Sequence, residues 1–448
     1  MQLQNLYTSR QDLRIEYQQL LDEGRDIGEV EQEFRDLDSL SEDELLSRQQ
    51  RCSALLDITI NLPLAADYPF HESSDLEGIR AARPEADRSL ETNLDDRTLF
   101  DRTLGAWQGR VSGCLLGKPV EGWRSERMWG FLKDLGRYPL SDYFRFDAAP
   151  ELIQKYDIRP ERAFVNLVDH LPEDDDTNYT VAGMLILKKH GPGFSPDQVA
   201  EFWLDNLPVL HTWTAERVAY RNFVNGMAPP ASAGFRNPYR EWIGARIRAD
   251  FYGYAALGRP ELAAEFAWRD ASISHVKNGI YGSMWVAAML AAAPFAGDVR
   301  RVIQAGLAEI PARCRLAEAI GQVIDWYEQG LDFEQAIGLI HQRWDENFGH
   351  HWCHTISNAQ IVALGLLWGE GELEKSICRA VQACFDTDCN GATVGSVVGM
   401  MLGAERLPGK WIEPLNNKLE TGLAGYNLVE IDRLAGEGFD LYKRLRSS

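Results

Sequence analysis

The chain has 448 residues, 45% of them hydrophobic and 25% charged, with a net charge of −21. That composition is globular and excludes bulk disorder, while the length predicts more than one structural unit. The negative charge excludes a general nucleic-acid binder and a protein docked on anionic membranes, because both need clustered Lys and Arg.

Residues 1–100 hold 23 Asp/Glu and 10 Arg but no Lys, so they carry −13 of the total charge. The first Lys is Lys118 and the first Trp is Trp107, which sets a composition break near residue 100. Within this stretch Leu13, Tyr17, Leu20 and Leu21 recur at helical spacing, followed by Val30, Phe34 and Leu37. Residues 1–50 therefore read as acidic helices, with their charge in solvent. Residues 61–95 contain Pro and Ser without a period and read as a loop or linker. The whole segment reads as a solvated extension or, alternatively, as a partner arm or lid. The N-terminus, MQLQNLYTSRQDLR, has no apolar core, which predicts no signal peptide. Seven cysteines at irregular spacing read as reduced thiols and predict a cytoplasmic protein.

From residue 98 the pattern is helical almost throughout, with Ala- and Gly-rich apolar runs that suit close helix packing. Gly105, Gly109, Gly113 and Gly117 lead into GKPVEGW, which ends the first run with Glu121. The next run opens on Glu173-Asp174-Asp175-Asp176-Thr177, acids that cap a helix or bind a cation. TWTAERVAYRN (212–222) sets polar groups on an apolar helix, and NPYREWIGARIRADFYGY (237–254) carries Arg246 and Arg248. Those guanidinium groups suit an anionic substrate group, or else ion pairs with Glu241 and Asp250. His275 reads as a satisfied interior histidine. Residues 278–297 are uncharged, but their Asn, Ser, Gly and Pro content predicts a buried core helix rather than a membrane span. FGHHWCH (348–354) groups His350, His351, Cys353 and His354, which could bind zinc, line a pocket or pack.

The last motif, CFDTDCNGATVGSVVGMMLG, sets Asp386 and Asp388 before a helix of small apolar residues. A helix apolar on all sides is buried, so these carboxylates are predicted to be buried too. Buried carboxylates must be paired, protonated or metal-bound, and no Lys or Arg lies within six residues of Asp386. Two clusters of hard oxygen donors, each opening a buried helix, predict a site for Mg²⁺ or Mn²⁺.

Four of these segments, in order, resemble the ADP-ribosylglycohydrolase family. GAWQGRVSGCLLGKPVEG is similar to its G-x-x-x-G-x-x-x-G-D-A-L-G-x-P-x-E pattern, and DDDTNYT to its T-D-D-T motif. SISHVKNGIYGSMWVAAMLAA is similar to its Ser/Thr-His segment, and CFDTDCNGATVGSVVGMMLG to its G-G-D-T-D-T-x-A motif. The resemblance runs from about residue 98 to about 425. It implies an all-α, compact orthogonal helical bundle over 98–448, with residues 1–97 as an acidic extension.

The resemblance also implies two Mg²⁺ ions, or Mn²⁺, held by Asp174, Asp175, Asp176, Asp386, Asp388 and Cys389. Glu121, Asp175 and Asp388 would be catalytic. Asn278, Gly279, Arg246, Arg248 and His351 would touch substrate. The implied activity is hydrolysis of a ribosyl C1″ glycosidic bond, with an ADP-ribosylated protein or small molecule as substrate. A nucleoside or other small ribosyl compound is the alternative, and a non-catalytic binding or structural role is a third. Three positions depart from the family pattern. Asp174 and Cys389 stand where it has Thr, and Cys114 where it has Asp.

Overall fold

The computed structural model describes residues 7–86, 88, 90 and 92–447. Among them are 24 α-helices and one two-stranded antiparallel sheet, so the protein is all-α. The strands are Lys418–Glu420 and Leu428–Glu430, with Leu419 opposite Val429.

The helix Asp96–Gly117 lies antiparallel against the helix Thr387–Leu402 at the centre of the body. Glycine makes this contact possible. A methyl group on Gly109 would collide with the carbonyl of Gly395, and one on Gly113 with the carbonyl of Gly391. Without side chains between them, the two backbones approach far more closely than ordinary helix pairs do. Around this pair lie two further helices, Lys277–Ala292 and Thr355–Gly369, buried along almost their whole length. The uncharged stretch at 278–297 is thus a core helix for most of its length. No helix among the described residues is long and apolar enough to cross a membrane.

The acidic segment folds as short helices: Arg10–Asp22, Glu31–Asp38, Glu42–Ser47 and Gln49–Thr59. Capping boxes start two of them, Ser9 with Asp12 and Ser41 with Glu44. Leu13, Leu20, Val30, Phe34, Leu37, Leu45, Cys52, Leu55 and Leu62 form a small core of their own. Residues 61–95 are not all loop, since Asp75 caps a helix over Leu76–Ala82. Before that helix the chain is strapped to the body. His71 N–H donates to the Arg313 carbonyl at 2.7 Å, and the Trp268 indole donates to the Ser74 carbonyl at 2.9 Å.

The reading of the N-terminal charge as solvation holds for most of its acids but needs correction at Asp12, Glu16 and Glu23. Glu16, Gln19 and Glu23 are buried against the body. Arg240 pairs with Glu16 at 2.5 Å and with Glu23 at 2.7 Å, and Lys277 pairs with Glu23 at 2.9 Å. Gln19 donates to Glu241 at 2.7 Å. Periodicity marks which residues lie on one face of a helix, but a charged stripe can face the interior when another element supplies the opposite charge.

Candidate metal centre

Three chain segments meet at one point. The close glycine contact carries the end of Asp96–Gly117 to the start of Thr387–Leu402, where Thr387 Oγ1 donates to the Gly117 carbonyl at 2.9 Å. The start of the helix Asp175–His190 closes the third side. Its N-cap is Asp174, whose Oδ1 accepts the Asp176 N–H at 2.9 Å. Ligand atoms of Cys114, Asp174, Asp176 and Asp388 fall within 4.8 Å of one another, as do those of Asp386, Asp388 and Cys389. The two aspartate clusters, more than 200 residues apart in the sequence, therefore share one buried site.

Three cations reach it. Lys118 Nζ lies 2.6 Å from Asp174 Oδ2. Arg110 lies 3.0 Å from Asp176 and 2.9 Å from Asp250, all fully buried. Arg246 donates to Asn390 at 2.7 Å. Asn358 completes the frame, its Oδ1 accepting from Asn390 at 2.8 Å and from the Asp386 N–H at 3.2 Å.

These cations do not meet the demand. Among the described residues no donor reaches Asp176 Oδ2 or Asp388 Oδ1, although both atoms are buried. Burial and the charges of neighbouring acids push Asp175 and Asp388 well above the usual carboxylate range. Burial likewise pushes Asp176 well up, against the pull of Arg110. Asp174 is the exception, for Lys118 overrides burial and holds it below that range. An acid cluster this buried is relieved by protons or by a cation. Unpartnered carboxylate oxygens are hard donors, so the residues present fit Mg²⁺ or Mn²⁺.

The two departures to cysteine place soft sulfur among hard oxygen donors. Burial and the nearby aspartates push the thiols of Cys114 and Cys389 well up. Asp174 does not carry a free oxygen, since one binds the Asp176 N–H and the other binds Lys118.

Glu121 stands exposed at the rim, next to a cavity of about 600 Å³ that Lys118 and Arg162 also line. Loss of water around its carboxyl, then the charges of Asp386 and Asp174, push it up to about 7. Arg162 donates to its carbonyl at 2.6 Å.

The structure does not bring every predicted residue to this point. Arg246 is there, with Nε and Nη1 buried and unpartnered among the described residues. Arg248 is buried elsewhere, paired with Asp270 and, at 3.1 Å, with Glu216, in place of the expected Glu241 and Asp250. Asn278 lies in the seam with the N-terminal segment. Its amide donates to Glu72 at 2.8 Å and Glu241 at 3.0 Å and accepts from Leu316 N–H at 3.0 Å, which leaves little for a substrate. Gly279 is packed against the Arg240 carbonyl. His351 packs between Trp344 and Phe348. His275 is interior as expected, but its Nε2 has no partner among the described residues.

The FGHHWCH segment faces the N-terminal helix. His350, His354 and Asp22 come within 4.8 Å of one another, a spacing that would suit zinc. The hydrogen bonds favour another state. The Trp242 indole donates to His350 Nδ1 at 3.1 Å, so the neutral ring carries its proton on Nε2, which donates to Asp22 at 2.8 Å. The ring nitrogen that would bind the metal is thereby occupied by a proton.

As site residues, sequence reasoning passed over Lys118, Arg110, Asn358 and Asn390, and it offered Asp250 only as an ion-pair partner of Arg246 or Arg248. Only Lys118 left a signal, as the first lysine of the chain, three residues before Glu121.

Residues 95–445 match the family model described as ADP-ribosylglycohydrolase. A solved structure described as an ADP-ribosylglycohydrolase-related protein complex is 17% identical, with a TM-score of 0.43. That likeness covers 78% of this chain and 99% of the other. Among curated proteins none matches the sequence.

Proposed function

The chain belongs to the ADP-ribosylglycohydrolase family, and from that premise we propose that it is a metal-dependent hydrolase of a ribosyl C1″ glycosidic bond. Family membership points to glycosyl hydrolysis in general. The finer reading is removal of ADP-ribose from a modified protein or small molecule, by residues 98–448 as the catalytic body. The observation that carries it is the pair of buried, unpartnered oxygens on Asp176 and Asp388, one from each aspartate motif.

Asp175, Asp176, Asp386 and Asp388 would hold the cation. When bound, it supplies Lewis acidity and a docking point for ribose hydroxyls. Arg110 and Asn358 hold Asp176 and the Asp386 backbone in place, so the donor set is preformed. Glu121, with a proton affinity near neutrality, suits the transfer of a proton at its carboxylate. Arg162 lines the adjoining cavity and would face a negatively charged part of the substrate, while Lys118 stays on Asp174.

Asp388→Asn should abolish release of ADP-ribose from an ADP-ribosylated substrate and should weaken Mn²⁺ binding in the same protein. Full turnover by this variant in the presence of EDTA would sink the reading.

A further inference from the structure

The two candidate donor groups are not equivalent. One consists of Cys114, Asp174, Asp176 and Asp388, and the other of Asp386, Asp388 and Cys389. The first already contains a cation, because Lys118 reaches Asp174 at 2.6 Å and Arg110 reaches Asp176 at 3.0 Å. In the second, neither Asp386 nor Asp388 has a salt bridge to Lys or Arg among the described residues, while the unpartnered oxygens of Asp176 and of Asp388, which belongs to both groups, are left for the ion.

We propose that this chain holds a single divalent cation, at the Asp386–Asp388 side, and that the Lys118 ammonium takes the place of a second. This rests on the reading of the site as a metal centre and says what that centre contains.

Three features support the substitution. First, Lys118 is mostly buried, its side chain 21% exposed, whereas a lysine without a partner would extend to water. Second, Asp174 spends both oxygens inside the protein, on Lys118 and on the Asp176 N–H, so the extra carboxylate in this motif serves the ammonium. Third, the first group offers the soft sulfur of Cys114 where the family pattern has Asp, so it holds fewer hard oxygen donors than a second divalent ion requires. An ammonium provides one positive charge and three N–H donors where a hard divalent ion would need several free oxygens.

The test uses Mn²⁺ as the probe on the full chain. Protein stripped with chelator is loaded with Mn²⁺, desalted, and measured for bound metal and by electron paramagnetic resonance. The expected result for the unaltered chain is one Mn²⁺ per chain with the spectrum of an isolated ion. Lys118→Met should take up a second ion and show an exchange-coupled pair, while Lys118→Arg should stay at one. Circular dichroism confirms that each variant is folded. Two coupled ions in the unaltered chain would overturn the inference and leave the metal reading intact. No bound Mn²⁺ in either the unaltered chain or Lys118→Met would overturn the metal reading itself. A single ion in folded Lys118→Met would overturn the role of the lysine. Because the unaltered chain decides the main point, failure of a variant to fold leaves the inference exposed to refutation.

Discussion

Two regions of this molecule bury acids in number, and they behave in opposite ways. In the seam between the N-terminal helix and the body, Glu16, Glu23, Glu72 and Glu241 are met by Arg240, Arg315 and Lys277. There Arg315 and other cations hold Glu241 well below the usual carboxylate range against the effect of burial, and Arg240 and Lys277 hold Glu23 down to about 2. In the candidate metal centre, acids as deeply buried are pushed upward. Burial is common to both regions, so it does not distinguish them. What differs is how far the protein supplies cations for the carboxylates. The seam is an ionic contact within the chain, whereas the candidate centre leaves carboxylate oxygens that protons or a cation must meet.

The largest expected effect tests the seam. Glu241→Ala removes the acceptor of Arg315, Gln19 and Asn278 together, leaving a buried guanidinium without one of its two carboxylates. Breaking a buried pair from one side costs about 3–5 kcal/mol. The loss should appear as a lower urea midpoint, with protease cleavage rising in residues 7–86. A shift below about 1 kcal/mol would mean that the seam is no more than a loose surface contact.

The second expectation has the opposite sign and sharpens the contrast. In chelated protein, Asp388→Asn replaces a buried acid that must either hold a proton or carry a charge with no partner on one oxygen. An unsatisfied buried polar atom costs about 1–3 kcal/mol, so removing this acid should raise stability by about 1 kcal/mol. The gain should vanish or reverse when Mn²⁺ is added, because only the original carboxylate binds it. If the variant were less stable than the parent in chelator, the centre would be a structural ion cluster like the seam.

The contrast was only half legible in the sequence. The glycines at 105, 109, 113 and 117 and the small residues after Asp388 carried the central helix pair, because backbone approach depends on residue size, which a sequence displays directly. The aspartate motifs carried the centre because each opens a helix whose burial its own composition reveals. Partners are another matter. Lys118 meets Asp174 across 56 residues, and Gln19 meets Glu241 across 222. No local pattern records such pairings, so the N-terminal acids read as solvated and Arg248 was matched to the wrong carboxylates. The same blindness hid the occupied amide of Asn278. Its segment has the right look, but its neighbours come from three distant parts of the chain.

The smallest expected effect concerns pH and again separates the regions. His350 ties the body to the N-terminal helix by donating from Nε2 to Asp22, with His351 and His354 as its other charged or titratable neighbours. Burial, opposed by the Asp22 bond, lowers its proton affinity to about 4. An unfolded histidine takes a proton near 6.5. Below about 6.5 the open state therefore binds a proton that the closed state lacks, and the closed state loses stability as pH falls towards 4. Glu23, held down to about 2, keeps its full contribution above about 4.5 and so does not add to the change in that window. Hydrogen exchange in Arg10–Asp22, corrected for intrinsic rates, should quicken between pH 7 and pH 5, and His350→Asn should flatten this dependence. Equal protection at both pH values in the unaltered chain would show that His350 does not fasten the seam, leaving the Arg240 and Arg315 ion pairs to hold it.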